Sequence, residues 1–103
     1  MAYKVILSKE VEQAIDNIHE YIATVLLSPQ SAKKTVAKIL DGLKSLEVFP
    51  EAGFDADVKI GVKINSKYPT RGKIIDQYVL LYFIDQTQKT VFLSHLFHTK
   101  SDY

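Results

Sequence analysis

Two histidines three positions apart, His95 and His98, stand in the apolar run Thr90 to His98, with Lys100 and Tyr103 just beyond them and Arg71 upstream. These residue types can move protons and hold anions, which is what the cleavage of RNA without a metal would call for. That reaction needs a base for the 2′-hydroxyl proton, cations for the scissile phosphate and an acid for the 5′-leaving oxygen. An imidazole, with an ordinary pKa near about 6.5, is neutral at physiological pH and can act as the base. His98 is the expected base, Arg71 and Lys100 the expected phosphate holders, and Tyr103 a residue that stacks on a nucleobase or assists proton transfer. Lys63, Lys73 and His95 are candidates for further phosphate contacts.

Each of these residues also has a purely structural account. A histidine at a strand end is as readily a hydrogen-bonded or surface side chain as a base. Arg71 can be solvated or ion-paired, and lysines 59, 63 and 67, four apart, also describe an ordinary solvated face. A His95/His98 metal site is disfavoured, because no third ligand is nearby in sequence and strand alternation points the two rings apart. His19 borders a helical apolar stripe and reads as a surface or boundary residue. There is no cysteine, so disulfides, thiolate nucleophiles and Cys-based zinc sites are excluded. No cofactor is expected.

Alternation assigns faces to the strand residues. If the last strand is regular, Val91, Leu93, His95 and Phe97 share one face, and Phe92, Ser94, Leu96 and His98 share the other. Tyr78 and Tyr82 lie on one side of the preceding strand and are expected to pack into the core. Val79, Leu81 and Phe83 then line the open face as an apolar strip, suited to a partner's amphipathic helix or extended segment.

The elements that position these residues follow from periodicity. Residues 3 to 7 read as a short strand. Ser8 fits a helix N-cap, Glu10 and Glu12 favour the first turn, and Val11, Ile15, Ile18, Ile22 and Val25 form a helical stripe ending near Leu27. Ser28-Pro29 restarts a helix whose stripe, Ala32, Val36, Ile39, Leu43 and Leu46, stops before Phe49-Pro50. Beyond Gly53 the texture becomes β-rich. Val58 to Ile64 is a weaker strand interrupted by Gly61, Asn65 to Pro69 a loop, and Gly72 to Asp76, Tyr78 to Ile84 and Thr90 to His98 are strands, the last two joined through Asp85 to Gln88. The expectation is an α+β domain over residues 1–103, with an N-terminal strand and a two-helix hairpin on one face of a mainly antiparallel sheet of four or five strands.

The chain of 103 residues carries 13 basic and 12 acidic side chains, and its formal charge of +1 argues at first against a nucleic-acid partner. That total hides a division. Residues 1–58 hold six lysines against nine acids, a net of −3, whereas residues 59–103 hold seven cations against three acids, a net of +4. The Val5-Ile6-Leu7 run is too short for a signal peptide, and a cytoplasmic location is expected.

The order of parts resembles the toxins of the RelE/ParE superfamily. The resemblance is carried by Leu7-Ser8-Lys9-Glu10, Ala14-Ile15, Ile18, Tyr21-Ile22, Ser28-Pro29, Ala32, Leu46, Phe49-Pro50 and Gly53, then by Arg71, Tyr78, Tyr82, Ile84-Asp85, His98 and Asp102-Tyr103. It implies a type II toxin with a small, acidic antitoxin as partner, and one of two activities. RelE-like toxins cut mRNA on the ribosome without a metal; ParE-like toxins trap DNA gyrase and are not enzymes. Where RelE-like relatives place arginines, this chain has Val79, Phe83 and Ser101, so Arg71 alone corresponds to a catalytic arginine. The reading favoured from residues alone is mRNA cleavage. The alternatives are gyrase inhibition and a non-toxic interaction module with a decayed site.

Overall fold

The computed structural model describes residues 3–55 and 68–99. The expected strand Val58 to Ile64 and the candidates Lys63, Lys100 and Tyr103 lie outside them. Strand β1 (Lys4–Leu7) leads into helix α1 (Lys9–Glu20), which continues as a π turn over Tyr21–Val25. Helix α2 (Pro29–Ser45) runs back, a 3₁₀ turn follows at Pro50–Ala52, and then come β2 (Phe54–Asp55), β3 (Arg71–Ile75), β4 (Tyr78–Asp85) and β5 (Thr90–His98). The five strands form one sheet in the order β1-β5-β4-β3-β2. Every pairing is antiparallel except β1 with β5, which run parallel from Lys4 opposite Thr90 to Leu7 opposite Leu93. The α+β expectation and both helices hold. The main departure in the hairpin is its tip, where the periodic stripe passes out of α-helical geometry after Glu20.

The helices form because their apolar residues recur on one side and their ends are capped. Ser8 is extended and its Oγ accepts the Val11 amide at 3.2 Å, while Ser28 does the same for Ser31 ahead of Pro29. Their stripes close on the sheet. Val11, Ile39, Leu43 and Leu46 meet Ile75, Leu80, Tyr82, Val91, Leu93 and Leu96 in one buried cluster. Burying each such side chain stabilises the fold by roughly 1.5–3 kcal/mol, so this layer contact supplies most of the driving force.

Strand β5 is not regular. Tyr82 stands opposite Leu93 but Leu81 stands opposite His95, so Ser94 is an extra residue, a β-bulge. Its groups are satisfied: Ser94 Oγ donates to Leu81 O at 3.1 Å, and Ser8 Oγ donates to Ser94 O at 3.0 Å. The bulge corrects the expected faces. Val91, Leu93, Leu96 and His98 share the helix side, whereas Phe92, His95 and Phe97 share the other. The physical reason is parity, since one inserted residue reverses every side chain after it.

Ser8 therefore caps α1 and holds the bulge with a single hydroxyl. Ser8→Ala should lower stability by about 1–2 kcal/mol, combining the lost cap with a part-buried carbonyl left without its side-chain donor. Ser8→Asp should keep the cap and lose the donor, recovering only part of that stability in urea unfolding.

Candidate functional site

Two concave regions compete for function, one on each face of the sheet. On the helix side, a cleft of about 670 Å³ opens between the outer half of the hairpin and the β3–β4 turn. Its walls include Ile18, Tyr21 and Leu26 from the hairpin, Tyr78 from β4, and Leu96 and His98 from β5. Alternation and the Ser94 bulge put the last three on this face. Polar groups ring it without filling it. His98 Nε2 lies 3.3 Å from Gln77 Oε1, and the imidazole meets the Tyr78 ring edge to face, centroids 5.4 Å apart. Burial, with the Asp76 carboxylate as a lesser cause, raises the Tyr78 phenol above its ordinary pKa, so the hydroxyl stays neutral and can donate. Across the mouth, Lys38 Nζ and Asp76 approach to 3.9 Å, a surface pair of small energetic weight.

The opposite face is not the open apolar strip that alternation suggests. Val79 and Leu81 are only 2% and 4% exposed, covered by Phe54 and Phe97. The cover is possible because Gly72 has no side chain: a Cβ there would overlap the Phe54 ring. Phe83 is sandwiched between Tyr68 and Phe92, with centroids 5.2 Å away on each side. The expected open strip is corrected accordingly: Val79 and Leu81 are core residues, and Phe83 is half-buried. Phe54 of β2 and Tyr68 pack against this face, which strand alternation alone does not reveal.

The proposed RNA-cleaving residues are dispersed among the described elements. Arg71, opposite Tyr82, and Lys73, opposite Leu80, project to the helix side of β3. His95, opposite Leu81, is exposed on the other side and sits 3.2 Å from Ser94 Oγ. His98 is back on the helix side but level with Tyr78, at the far end of β3 from Arg71. The Arg71 guanidinium is already committed. Its Nη1 donates to Glu51 O at 3.1 Å and Gly53 O at 3.4 Å. Among the described residues no three His, Asp or Glu side chains gather as a metal site, and no helix is long and apolar enough to cross a membrane.

Arg71 belongs to a latch that residue types did not foretell. Tyr82, fully buried, donates its hydroxyl to Pro50 O at 2.6 Å, so two side chains from adjacent strands bind three carbonyls of the Pro50–Gly53 turn. Gly53 is required by contact, because a Cβ there would meet the Tyr82 hydroxyl and the Gly72 carbonyl. Burial raises the Tyr82 pKa, opposed more weakly by the Gly53 backbone and by Arg71.

A raised phenol pKa stabilises the fold fully below the unfolded value of about 10, and that contribution is lost as pH climbs through the folded value. The melting temperature should therefore fall above about pH 10, as phenolate absorbance rises. Tyr82→Phe should cost about 1–3 kcal/mol at neutral pH, through the unpaired Pro50 carbonyl, and should flatten part of the alkaline decline.

A family model, the ParE toxin of the parDE type II toxin–antitoxin system, matches residues 5–103. No curated protein matches the chain by sequence. Several solved structures are similar in fold. They include a chromosomal ParDE system from Pseudomonas aeruginosa, at 14% identity and a TM-score of 0.70, covering 94% of this chain and 96% of that one. The RelBE2 toxin–antitoxin complex of Mycobacterium tuberculosis follows at 16% and 0.64, covering 95% and 92% of the two chains. An archaeal RelE–RelB complex from Pyrococcus horikoshii gives 15% and 0.65, covering 99% and 100%. Identities this low speak for the fold alone, whereas the family model spans nearly the whole chain. The chain belongs to the ParE toxin family of type II toxin–antitoxin systems.

Proposed function

We propose that this toxin arrests growth in the cytoplasm by gripping a protein target, DNA gyrase in the reading its family implies, and that an antitoxin neutralises it by seating an amphipathic helix in the cleft beneath the helical hairpin. The observation that carries the mode of action is the separation of His98 from Arg71, the expected base and the expected phosphate holder among the described residues. A base and a phosphate-holding cation must meet at one scissile bond. Here His98 and Arg71 sit at opposite ends of β3, and both are engaged within the chain. The cleft supports the antitoxin reading, because its apolar walls and polar rim match one apolar helix face. The toxin–antitoxin complexes among the similar structures support it further.

The second reading, ribosome-associated mRNA cleavage, draws on the +4 charge of residues 59–103 and on the RelE-type relatives in fold. One experiment separates them. Purified protein added to gyrase and plasmid DNA should accumulate cleaved DNA–gyrase complexes, and in a translating extract it should leave mRNA intact. New mRNA ends with unaffected gyrase would reverse the assignment, and normal growth at high expression without an antitoxin would exclude both toxic modes. Two variants sharpen the result. His98→Gln should arrest growth within about twofold of wild type, while Tyr21→Ala, on the exposed cleft wall, should weaken antitoxin binding at least tenfold, measured by calorimetry.

A further inference from the structure

The tip of the helical hairpin carries three exposed bulky apolar side chains in a row: Val25 at 61%, Leu26 at 56% and Leu27 at 82% exposure. Isolated exposed leucines need no explanation, but these sit in the longest uncharged stretch of the chain. Residues 21–32 contain no Asp, Glu, Lys or Arg, although one residue in four of the whole chain is charged. The other long uncharged stretches, residues 77–84 and 90–99, run along the central strands β4 and β5. Only the one at the tip is presented to solvent.

The backbone there is unusual as well. After Glu20 the helix widens into the π turn, closed by Leu26 N donating to Tyr21 O and Ser28 N donating to Ile22 O, and stiffened by Thr24 Oγ1 donating to Glu20 O at 2.6 Å. Leu27 then adopts φ 53°, the left-handed region. A bulky residue in that conformation is disfavoured, and glycine or asparagine would relieve the strain and the exposure together. The chain therefore holds a large apolar side chain in a conformation and an environment that both disfavour it, on a hydrogen-bonded scaffold.

We propose that this tip is the surface by which the toxin grips its protein target, and that it docks onto an uncharged apolar patch of that target. The absence of charge decides the class of partner. A nucleic acid has no cation to meet over these twelve residues, and an acidic antitoxin segment finds its complement on the +4 half of the chain. An uncharged apolar protein patch loses no ion solvation on closing over Leu27, which is why the centres of protein interfaces are depleted of charge. Val25 and Leu27 also lie outside the walls of the cleft, so target contact and antitoxin seating use separable side chains. The inference rests on the protein-contact mode of action proposed above.

The test uses the whole protein with Val25→Ser combined with Leu27→Gly, and Leu27→Asn as a second variant compatible with the left-handed backbone. Both should melt no lower than wild type and bind the antitoxin within about twofold. Both should need at least tenfold more protein to arrest growth and to trap gyrase on DNA. Growth arrest at wild-type potency would overturn the role of the tip alone. A tenfold loss of antitoxin affinity would reassign the tip to the antitoxin and overturn the proposal. Message cleavage by the wild-type protein would overturn the mode of action, and the tip's role with it.

Discussion

One serine hydroxyl ties the two layers of this molecule together. Ser8 Oγ accepts the Val11 amide to begin α1 and donates to the carbonyl of Ser94, the extra residue in β5. The Ser8 amide donates to Leu93 O at the same level, so the end of β1, the start of α1 and the bulge meet at one point. The position of α1 over the sheet and the phase of the last strand are thereby coupled. A regular β5 would turn Leu96 away from the helices and leave a gap in a close-packed core, where lost contact is costly.

The bulge also decides which residues the cleft contains. With Ser94 inserted, His98 joins Leu96 and Tyr78 beneath the hairpin, while His95 stays on the opposite face. Alternation alone keeps the two histidines on different sides of the sheet; the bulge decides which of them faces the hairpin. Arg71, the best candidate cation, is spent with Tyr82 on the carbonyls of the Pro50–Gly53 turn, where it anchors the passage from the helices to the sheet edge. The same side chains that invite a catalytic reading thus perform architectural work.

The described surface also has a distinctive shape. The hairpin overhangs the end of the sheet, leaving an apolar cleft below it and an uncharged apolar tip beyond it. This division fits a protein that must be held inactive by one partner and act upon another. The charge split of −3 and +4 belongs to the two halves of the sequence, whereas α1 and α2 together balance, with five acids against five lysines.

The sequence by itself determined the elements governed by local physics. The Ser8 and Ser28 caps, the 3.6-residue stripes of both helices, the break at Ser28-Pro29 and the three long strands were all legible, because capping and periodicity act over a few residues. The order of those parts also disclosed the superfamily. Tertiary structure alone decided the faces. Nothing local fixes the register of the last strand, which slips at Ser94 through its partners Tyr82, Leu93 and Ser8. The burial of Val79 and Leu81 depends on Phe54 crossing Gly72. The strain at Leu27 depends on a π turn that no helical stripe records. Each is a contact or a backbone angle imposed by partners outside the local window, and that is why the candidate site had to be redrawn on a fold that was already visible.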